Sequence, residues 1–208
     1  KIKKNFFDVR YLSEKKFLLS NNIDVNDLNI NEINNILNRK QIKIKKINKL
    51  AKKTIIVTGA AGTIGSEICR QLLQHNVKKI IAIDKSEIGI YNQQGKLKNK
   101  KIIYKLLDIN DKFFLERVIK QENVELIFHA AAYKHVPMME LCPSEAVHNN
   151  VLGTQLLADL AMEYGVERFV MVSTDKAVNP TNVMGASKRL AEIYVQTLSA
   201  NPDCNTRF

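Results

Sequence analysis

The fold is decided by the stretch Thr58-Gly-Ala-Ala-Gly-Thr-Ile-Gly65. It follows an apolar run, Thr54 to Thr58, and opens a segment, Ile64 to Gln74, whose apolar residues recur every three or four positions. The run is typical of a buried strand and the segment of an amphipathic helix. In such a unit, glycines permit a tight turn and close approach to a pyrophosphate, and the helix N-terminus attracts the anion. The stretch predicts a dinucleotide-binding turn, with candidate cofactor residues Gly59, Gly62, Thr63, Ile64 and Gly65.

Strand-like and helix-like segments alternate along the rest of the chain. Further short apolar runs are Lys79 to Ile83, Ile102 to Leu106, Glu125 to Phe128 and Arg168 to Val172. Helical periodicity occurs in Asp111 to Gln121, Ser144 to Tyr164 and Val183 to Leu198. This alternation predicts an α/β fold, a doubly wound parallel sheet with helices on both faces. Reactive groups are then expected beyond the carboxyl ends of the strands.

The composition excludes several classes of protein. With 45% hydrophobic and 25% charged residues in 208, the chain is globular rather than disordered. No run approaches the roughly 18 apolar residues of a membrane-spanning helix. The three cysteines are far apart and lack CxxC spacing, so neither a disulfide framework nor a metal site is predicted, and a reducing cytoplasm is the default.

The net charge of +11 belongs mainly to the N-terminal part of the chain. Residues 1–53 carry 14 basic and 5 acidic residues, whereas residues 54–208 carry 18 and 16. We therefore divide the chain into a basic leader with short helices, 1–53, and a nucleotide-binding catalytic domain, 54–208. AT-rich codons and contact with an anionic membrane surface are both open explanations for the leader. No nucleic-acid motif accompanies the charge, so a nucleic-acid partner is not predicted.

Asp84 ends the second predicted strand roughly 20 residues after the glycine turn, where a carboxylate can accept hydrogen bonds from an adenosine ribose. A carboxylate there repels a 2'-phosphate, which favours NAD over NADP, although the neighbouring Lys85 and Ser86 weaken this choice. The spacing GxxGxxG is similar to that of extended short-chain dehydrogenases and reductases, a Rossmann-like superfamily. Two more stretches, which contain Asp108–Ile109 and Ala130–Ala132, also resemble this superfamily. The resemblance implies that Asp108 and Ile109 face the adenine, and that small side chains leave room for the dinucleotide at Ala130, Ala131 and Ala132.

A hydroxyl, a carboxyl and an amine follow the fifth predicted strand in Ser173-Thr-Asp-Lys176. Eight residues later, Met184 and Lys188 share one helix face at i, i+4 spacing. In short-chain dehydrogenases this frame reads Tyr-x-x-x-Lys, with a phenol that passes a proton. A thioether has no proton to exchange, so this chain has either abandoned redox chemistry or moved its acid and base elsewhere.

Three longer stretches resemble the polysaccharide-biosynthesis family of nucleotide-sugar dehydratases, and in particular its membrane-associated UDP-N-acetylglucosamine 4,6-dehydratases. They are Ala132-Tyr-Lys-His-Val-Pro-Met-Met-Glu140, Asn150-Val-Leu-Gly-Thr154 and Ser173-Thr-Asp-Lys-Ala-Val-Asn-Pro-Thr-Asn-Val-Met-Gly-Ala-Ser-Lys-Arg189. The resemblance covers about residues 29–208. Methionine is usual in that group at the position of Met184, so the departure from the superfamily agrees with the subgroup.

The resemblance implies oxidation of the sugar at C4, loss of the C5 proton and the C6 hydroxyl, and reduction at C6, with NAD used and regenerated. Lys176 is then the base at C5, which requires a lowered pKa, and Asp175 the acid toward the C6 oxygen, which requires a raised one. Thr174 holds the C4 oxygen, and Lys188 orients the nicotinamide ribose. Further candidate substrate residues are Lys134, His135 and Asn179.

The resemblance also implies a cellular context. Extended members build much of the sugar pocket from a C-terminal region, which we expect to lie beyond Phe208. The expected partners are a UDP-sugar, a second copy of the chain and a membrane, contacted through the basic leader or upstream helices. The location is then the cytoplasmic face of the plasma membrane. A nucleotide-sugar epimerase and a non-catalytic NAD-binding regulator remain alternatives.

Overall fold

A parallel sheet of five strands lies at the centre of the molecule. The computed structural model describes residues 47–208, so the first 46 residues of the predicted leader lie outside the described residues. The strands run in the order β3-β2-β1-β4-β5, which confirms the doubly wound parallel sheet. Their bounds are β1 Thr54–Thr58, β2 Lys79–Asp84, β3 Ile102–Leu106, β4 Leu126–His129 and β5 Arg168–Met171.

Helices connect the strands. They are α1 Thr63–Leu72, α2 Glu87–Lys96, α3 Lys112–Glu122, α4 Val136–Leu141, α5 Pro143–Ala146, α6 Gly153–Glu163 and α7 Val183–Ser199. The helix expected from Ser144 to Tyr164 is present as one continuous helical stretch from 143 to 163, but its middle, Val147–Leu152, is π-helical and joins α5 to α6. Helices α2 and α4 were not predicted. No residue of α2 is buried, and α4 has only six residues, so neither produces a clear apolar period.

Each face of the sheet has its own apolar core, because successive residues of a strand point to opposite faces. On one face Ile56, Ile81 and Ile127 pack with buried residues of α3, α6 and α7. On the other face Ile55 and Ile80 pack with residues of α1. All five residues of β1 are buried, as expected of a central parallel strand.

The strand order reverses at β1, which pairs with β2 on one side and β4 on the other. The connections that follow β1 and β4 therefore leave a crevice beyond the carboxyl end of β1, where ligands of open α/β sheets bind. Within residues 47–208, no helix combines the length and apolarity that a membrane crossing requires.

Candidate functional site

The glycine turn between β1 and α1 lies directly against the segment that follows β4. Gly59 has a φ of +66°, and a Cβ built on it would lie 2.6 Å from the Ala131 nitrogen and 2.7 Å from the Ala130 carbonyl carbon. A Cβ on Gly65 would collide with the Gly59 carbonyl oxygen. Gly62 begins α1 without a side-chain cap, which leaves the first amides of the helix facing the crevice for an anion. Only glycine suits this backbone geometry.

The Asp84 carboxylate is fixed at the end of β2 by two backbone amides. Its Oδ2 accepts a hydrogen bond of 3.0 Å from Ala61 N, and its Oδ1 accepts one of 2.9 Å from Ser86 N. Ser86 Oγ in turn accepts from Gly89 N at 3.1 Å and caps α2. Each carboxylate oxygen keeps a lone pair, so both can accept further hydrogen bonds from a diol.

A cavity of about 240 Å³ lies between the glycine turn and the end of β2. Its lining contains these residues: Gly59, Asp84, Lys85, Ser86, Leu107, Ile109, Ala131, Ala132, Tyr133 and Asn149. The lining therefore contains six of the thirteen candidate cofactor residues: Gly59, Asp84, Ser86, Ile109, Ala131 and Ala132. Two larger grooves of about 590 and 650 Å³ flank β5 and contain none of them, so the chemistry of the lining favours the smaller cavity.

Asp108 lies beside this cavity rather than in its lining. Its Oδ1 accepts hydrogen bonds from Asn110 N at 2.9 Å and from the Asn110 side-chain amide at 3.0 Å. Burial acts to raise the pKa of this carboxyl, but the Asn110 hydrogen bonds and the charges of Lys85 and His148 outweigh it and hold the pKa below its usual value. Asp108 is therefore an anion near neutral pH.

His129, at the end of β4, is fully buried beneath the glycine turn. Its Nδ1 lies 2.7 Å from Thr58 Oγ1 and its Nε2 lies 2.9 Å from Thr154 Oγ1. Thr154 donates its only hydroxyl proton to the Asn150 carbonyl oxygen, so Nε2 must carry the proton and Nδ1 must accept from Thr58. Burial, and secondarily the charge of Lys188, lowers the pKa of His129 to about 3. This histidine is a neutral structural link.

We expect His129 to make folding stability depend on pH. Because its pKa falls from 6.5 to about 3 on folding, the unfolded chain binds a proton below pH 6.5 that the folded chain does not. Its contribution is therefore lost as the pH is lowered from 6.5 toward 3, by up to about 1.4 kcal/mol per pH unit. Urea unfolding of wild type and His129→Asn across this range measures the difference. His135→Asn, which changes an exposed histidine, is the control and should keep the pH dependence of the wild type. If the free energy of unfolding changed equally with pH in wild type and His129→Asn, the prediction would be wrong.

The predicted acid and base lie together on one turn of 3-10 helix, Asp175–Ala177, beyond the end of β5. Asp175 Oδ1 accepts hydrogen bonds from Thr174 Oγ1 at 2.9 Å and from Lys176 N at 3.0 Å, and Lys176 Nζ lies 3.4 Å away. The Asp175 side chain is 87% exposed and that of Lys176 49%. The Thr174 hydroxyl, followed by the Lys176 side chain, lowers the pKa of Asp175. The raised pKa and poorly solvated site expected for Asp175 are therefore wrong for the described residues, because the turn is open to water.

Lys188 is a buried ammonium group, 3% exposed, on the inner face of α7. Its Nζ donates to the Val172 carbonyl oxygen at 2.9 Å, just beyond β5. Burial lowers its pKa to about 8, although Glu192 raises it in part. The lysine therefore places positive charge under the carboxyl end of β5.

Met184 is 2% exposed and packs in an apolar cluster with Met139 and Ala146. It occupies the core between α4, α5 and α7 rather than open space in the site. The next residue, Gly185, faces the turn Asp175–Ala177, and a Cβ there would collide with the Lys176 carbonyl oxygen. The helix that carries Lys188 is therefore packed directly against the turn that carries Lys176.

The three candidate substrate residues, Lys134, His135 and Asn179, are exposed. Asn179 has a φ of +47°, a left-handed conformation that asparagine tolerates better than most residues. His135 precedes α4 without capping it through its side chain. Their roles toward a sugar stay predictions.

Sequence reasoning gave no defined role to several residues that organise the site. Glu140 Oε1 accepts from Val183 N at 2.7 Å and caps α7. Asn150 Nδ2 donates to Ser187 Oγ at 3.0 Å and so links the π-helical stretch to α7. Asn149 contacts Lys85 across the cavity. Glu140 and Asn150 do lie in two of the stretches that resemble the polysaccharide-biosynthesis family.

The sequence of this chain is similar to those of several known proteins. Residues 55–208 match the family described as "Polysaccharide biosynthesis protein". The chain is 42% identical over 190 residues to the capsular polysaccharide biosynthesis protein CapD of Staphylococcus aureus, covering 88% of this chain and 32% of that protein. It is 50% identical over 149 residues to an uncharacterized membrane protein of Methanocaldococcus jannaschii, covering 72% and 44%.

An inverting UDP-N-acetylglucosamine 4,6-dehydratase of Campylobacter jejuni is 33% identical over 159 residues, covering 76% of this chain and 47% of that protein. The chain thus spans between a third and a half of the length of these three relatives.

Two similar crystal structures contain NAD. One is a double mutant of DesIV, a dTDP-glucose 4,6-dehydratase from Streptomyces venezuelae, with NAD and DAU bound; its TM-score is 0.67 at 26% identity, covering 74% of this chain and 53% of that one. The other is a UDP-glucose 4-epimerase from Thermus thermophilus in complex with NAD, with a TM-score of 0.64 at 26% identity, covering 70% and 50%.

Proposed function

Because the chain belongs to the polysaccharide biosynthesis protein family, we propose that it provides the NAD site and the catalytic turn of a nucleotide-sugar 4,6-dehydratase. The substrate we propose is UDP-N-acetylglucosamine, which gives a UDP-4-keto-6-deoxy-N-acetylhexosamine. The observation that carries the proposal is the adjacency of a carboxylate and an ammonium group, Asp175 Oδ1 and Lys176 Nζ at 3.4 Å, beyond the end of β5. Elimination of water across C5 and C6 needs a base at C5 and a separate acid at the C6 oxygen, whereas epimerisation at C4 needs only one group, which removes and returns the C4 hydroxyl proton.

The residues of the cavity fit NAD. The glycine turn leaves space for a pyrophosphate at Gly62, where a Cβ would meet only the Gly59 carbonyl oxygen at 3.2 Å, and the uncapped amides of α1 can donate to the phosphate oxygens. The Asp84 carboxylate can accept both ribose hydroxyls of the adenosine, and it would repel the 2'-phosphate of NADP. Small side chains at Ala131 and Ala132 leave space beside the glycine turn.

The nicotinamide supplies reversible oxidation and reduction of the sugar when it is bound. The chain's own part is orientation and charge. Lys188, fixed to the Val172 carbonyl at 2.9 Å, can hold the nicotinamide ribose, and its positive charge favours loss of the proton next to a C4 ketone. Thr174 can hydrogen-bond the C4 oxygen. Met184 takes no part in proton transfer, because a buried thioether has no proton to give.

The Asp175–Lys176 pair needs a change of environment to act. In water the pair consists of a carboxylate and an ammonium ion, the reverse of what an acid and a base require. A sugar nucleotide that covers the exposed turn removes water from both groups, and desolvation favours the neutral forms. Transfer of one proton from Lys176 to Asp175 over 3.4 Å then yields an amine that can take the C5 proton and a carboxylic acid that can protonate the leaving C6 oxygen.

The remaining context is proposed on the same basis. We propose a protein that acts at the cytoplasmic face of the plasma membrane as a homo-oligomer and supplies a sugar for capsule, O-antigen or glycoprotein glycans. Support comes from the basic leader, with 14 basic residues in positions 1–53, and from a relative described as a membrane protein.

The test is to incubate the complete protein with UDP-N-acetylglucosamine in deuterated water and to follow the sugar by NMR and mass spectrometry. We expect loss of one water and one deuterium at C5. A C4 epimer without loss of water would instead identify an epimerase. Unchanged sugar in the presence of tightly bound NAD would point to a regulator, and the dehydratase proposal would be wrong.

A further inference from the structure

Lys85 reaches from the end of β2 to the segment that follows β4. Its Nζ donates to the Tyr133 hydroxyl at 2.6 Å and to Asn149 Oδ1 at 3.1 Å, and it lies 4.3 Å from the centre of the Tyr133 ring. Asp108 Oδ2 lies 3.8 Å away. Because β1 lies between β2 and β4 in the sheet, the side chain spans the crevice beyond β1. Lys85, Tyr133 and Asn149 all line the 240 Å³ cavity.

We call the contacts of Lys85 with Tyr133 and Asn149 the Lys85 bridge. Its end at Tyr133 and Asn149 is held by buried residues. Tyr133 N donates to Asn150 Oδ1 at 2.7 Å, and Asn150 Nδ2 donates back to Tyr133 O at 3.0 Å. Asn149 is 3% exposed and Asn150 fully buried, both in the π-helical stretch. The partners of the Lys85 ammonium group are therefore fixed in position. Hydrogen bonds from a charged donor such as Lys85 are stronger than those between neutral groups.

We propose that Lys85 is a cofactor-retaining residue, whose side chain closes the adenosine side of the dinucleotide cavity and is held closed by Tyr133 and Asn149. The inference rests on the proposed function, because it takes the ligand to be NAD. A dinucleotide that passes this side requires the ammonium group to leave its partners first. An enzyme that regenerates its cofactor in every cycle gains from slow exchange, and this bridge provides it.

A closure and an ordinary contact differ in their kinetics. Loss of a contact that forms only in the complex raises the dissociation rate and leaves association unchanged. Loss of a bridge that must open for entry and for exit raises both rates. Lys85→Met keeps the length of the side chain and removes the charge and its hydrogen bonds. Tyr133→Phe removes one acceptor and keeps the ring, so it is a second variant with little effect on packing.

The experiment uses the complete protein and NADH, whose fluorescence reports binding in a stopped-flow instrument. We expect Lys85→Met to raise both the association and the dissociation rate of NADH by about tenfold, because the charge-assisted hydrogen bonds to Tyr133 and Asn149 are lost. Tyr133→Phe should raise both rates by a smaller factor. ADP-ribose, which lacks the nicotinamide, should displace NADH with the same change in rates, because the bridge lies on the adenosine side. Lys98→Met, an exposed lysine outside the cavity, is the matched control.

Three results would overturn the proposal. Unchanged rates in both variants would show that Lys85 does not limit exchange. Faster dissociation with unchanged association would make Lys85 an ordinary contact. Failure of the wild-type protein to bind NADH or NAD at all would overturn the proposed function together with this inference, whereas the first two results leave that function intact.

Discussion

Replacement of Lys176 by methionine is expected to lower kcat of the complete protein by at least about a hundredfold, because positioned acid–base groups contribute factors of about 10²–10⁴. The change removes the only amine on the catalytic turn Asp175–Ala177 and keeps its stem. Incorporation of deuterium at C5 should disappear with turnover. Binding of NAD should stay unchanged, since Lys176 is not in the lining of the 240 Å³ cavity.

The controls for this prediction separate chemistry from charge. Lys98→Met removes an exposed positive charge elsewhere and should leave kcat unchanged. Asp175→Asn keeps the shape of the turn but can neither accept the proton of Lys176 nor supply one to the C6 oxygen, so it should slow both exchange at C5 and loss of water. If Lys176→Met exchanged deuterium at C5 at the wild-type rate, another group would have to be the base.

The substitution Gly59→Ala is expected to destabilise the protein by about 2–6 kcal/mol and to weaken NAD binding at least tenfold. The φ of +66° places any side chain in a strained conformation, and the new Cβ would lie 2.6 Å from the Ala131 nitrogen. Strain of this kind costs about 1–3 kcal/mol, and overpacking adds a similar amount. Urea unfolding gives the first quantity and titration with NAD the second.

Gly165 offers a matched control for this substitution. Its φ is +64°, almost the same as at Gly59, but a Cβ there would meet nothing within 4 Å. Gly165→Ala should therefore show the conformational strain alone, about 1–2 kcal/mol, with unchanged affinity for NAD. Equal losses of stability in the two variants, with NAD binding kept in both, would contradict the close approach of the glycine turn to Ala131.

The sheet was largely predictable from the sequence, and the surface helices were not. Largely apolar runs mark the strands, so β1 and β3 have the predicted bounds, β2 and β5 differ by one residue at one end, and β4 is shifted by one residue at both ends. Helix α2 has no buried residue, so nothing in its pattern distinguishes it from a loop. The π-helical stretch Val147–Leu152 differs from an α-helix in which carbonyl oxygen accepts from each backbone amide. The spacing of apolar residues does not show this difference.

The sequence indicated six of the residues that line the 240 Å³ cavity, but not the electrostatics of the turn Asp175–Ala177. Adjacent residues such as Asp175 and Lys176 are recognisable because the chain itself places them together. The ionisation of Asp175 depends on how much water reaches it, and this depends on parts of the molecule distant in sequence. The contact between Lys85 and Asn149 joins residues 64 positions apart. No local pattern encodes such a contact.

The collision that any side chain at Gly185 would make with the Lys176 carbonyl has a consequence for protein engineering. The turn Asp175–Ala177 and the start of α7 pack directly against each other, so a replacement of one requires a matching replacement of the other. A transplant of this chemistry into a related Rossmann-like host should move residues 173–188 as one cassette, including the methionine that fills the core beside it. If only the proposed acid and base, Asp175 and Lys176, were transferred, their turn would lack the helix surface against which it packs.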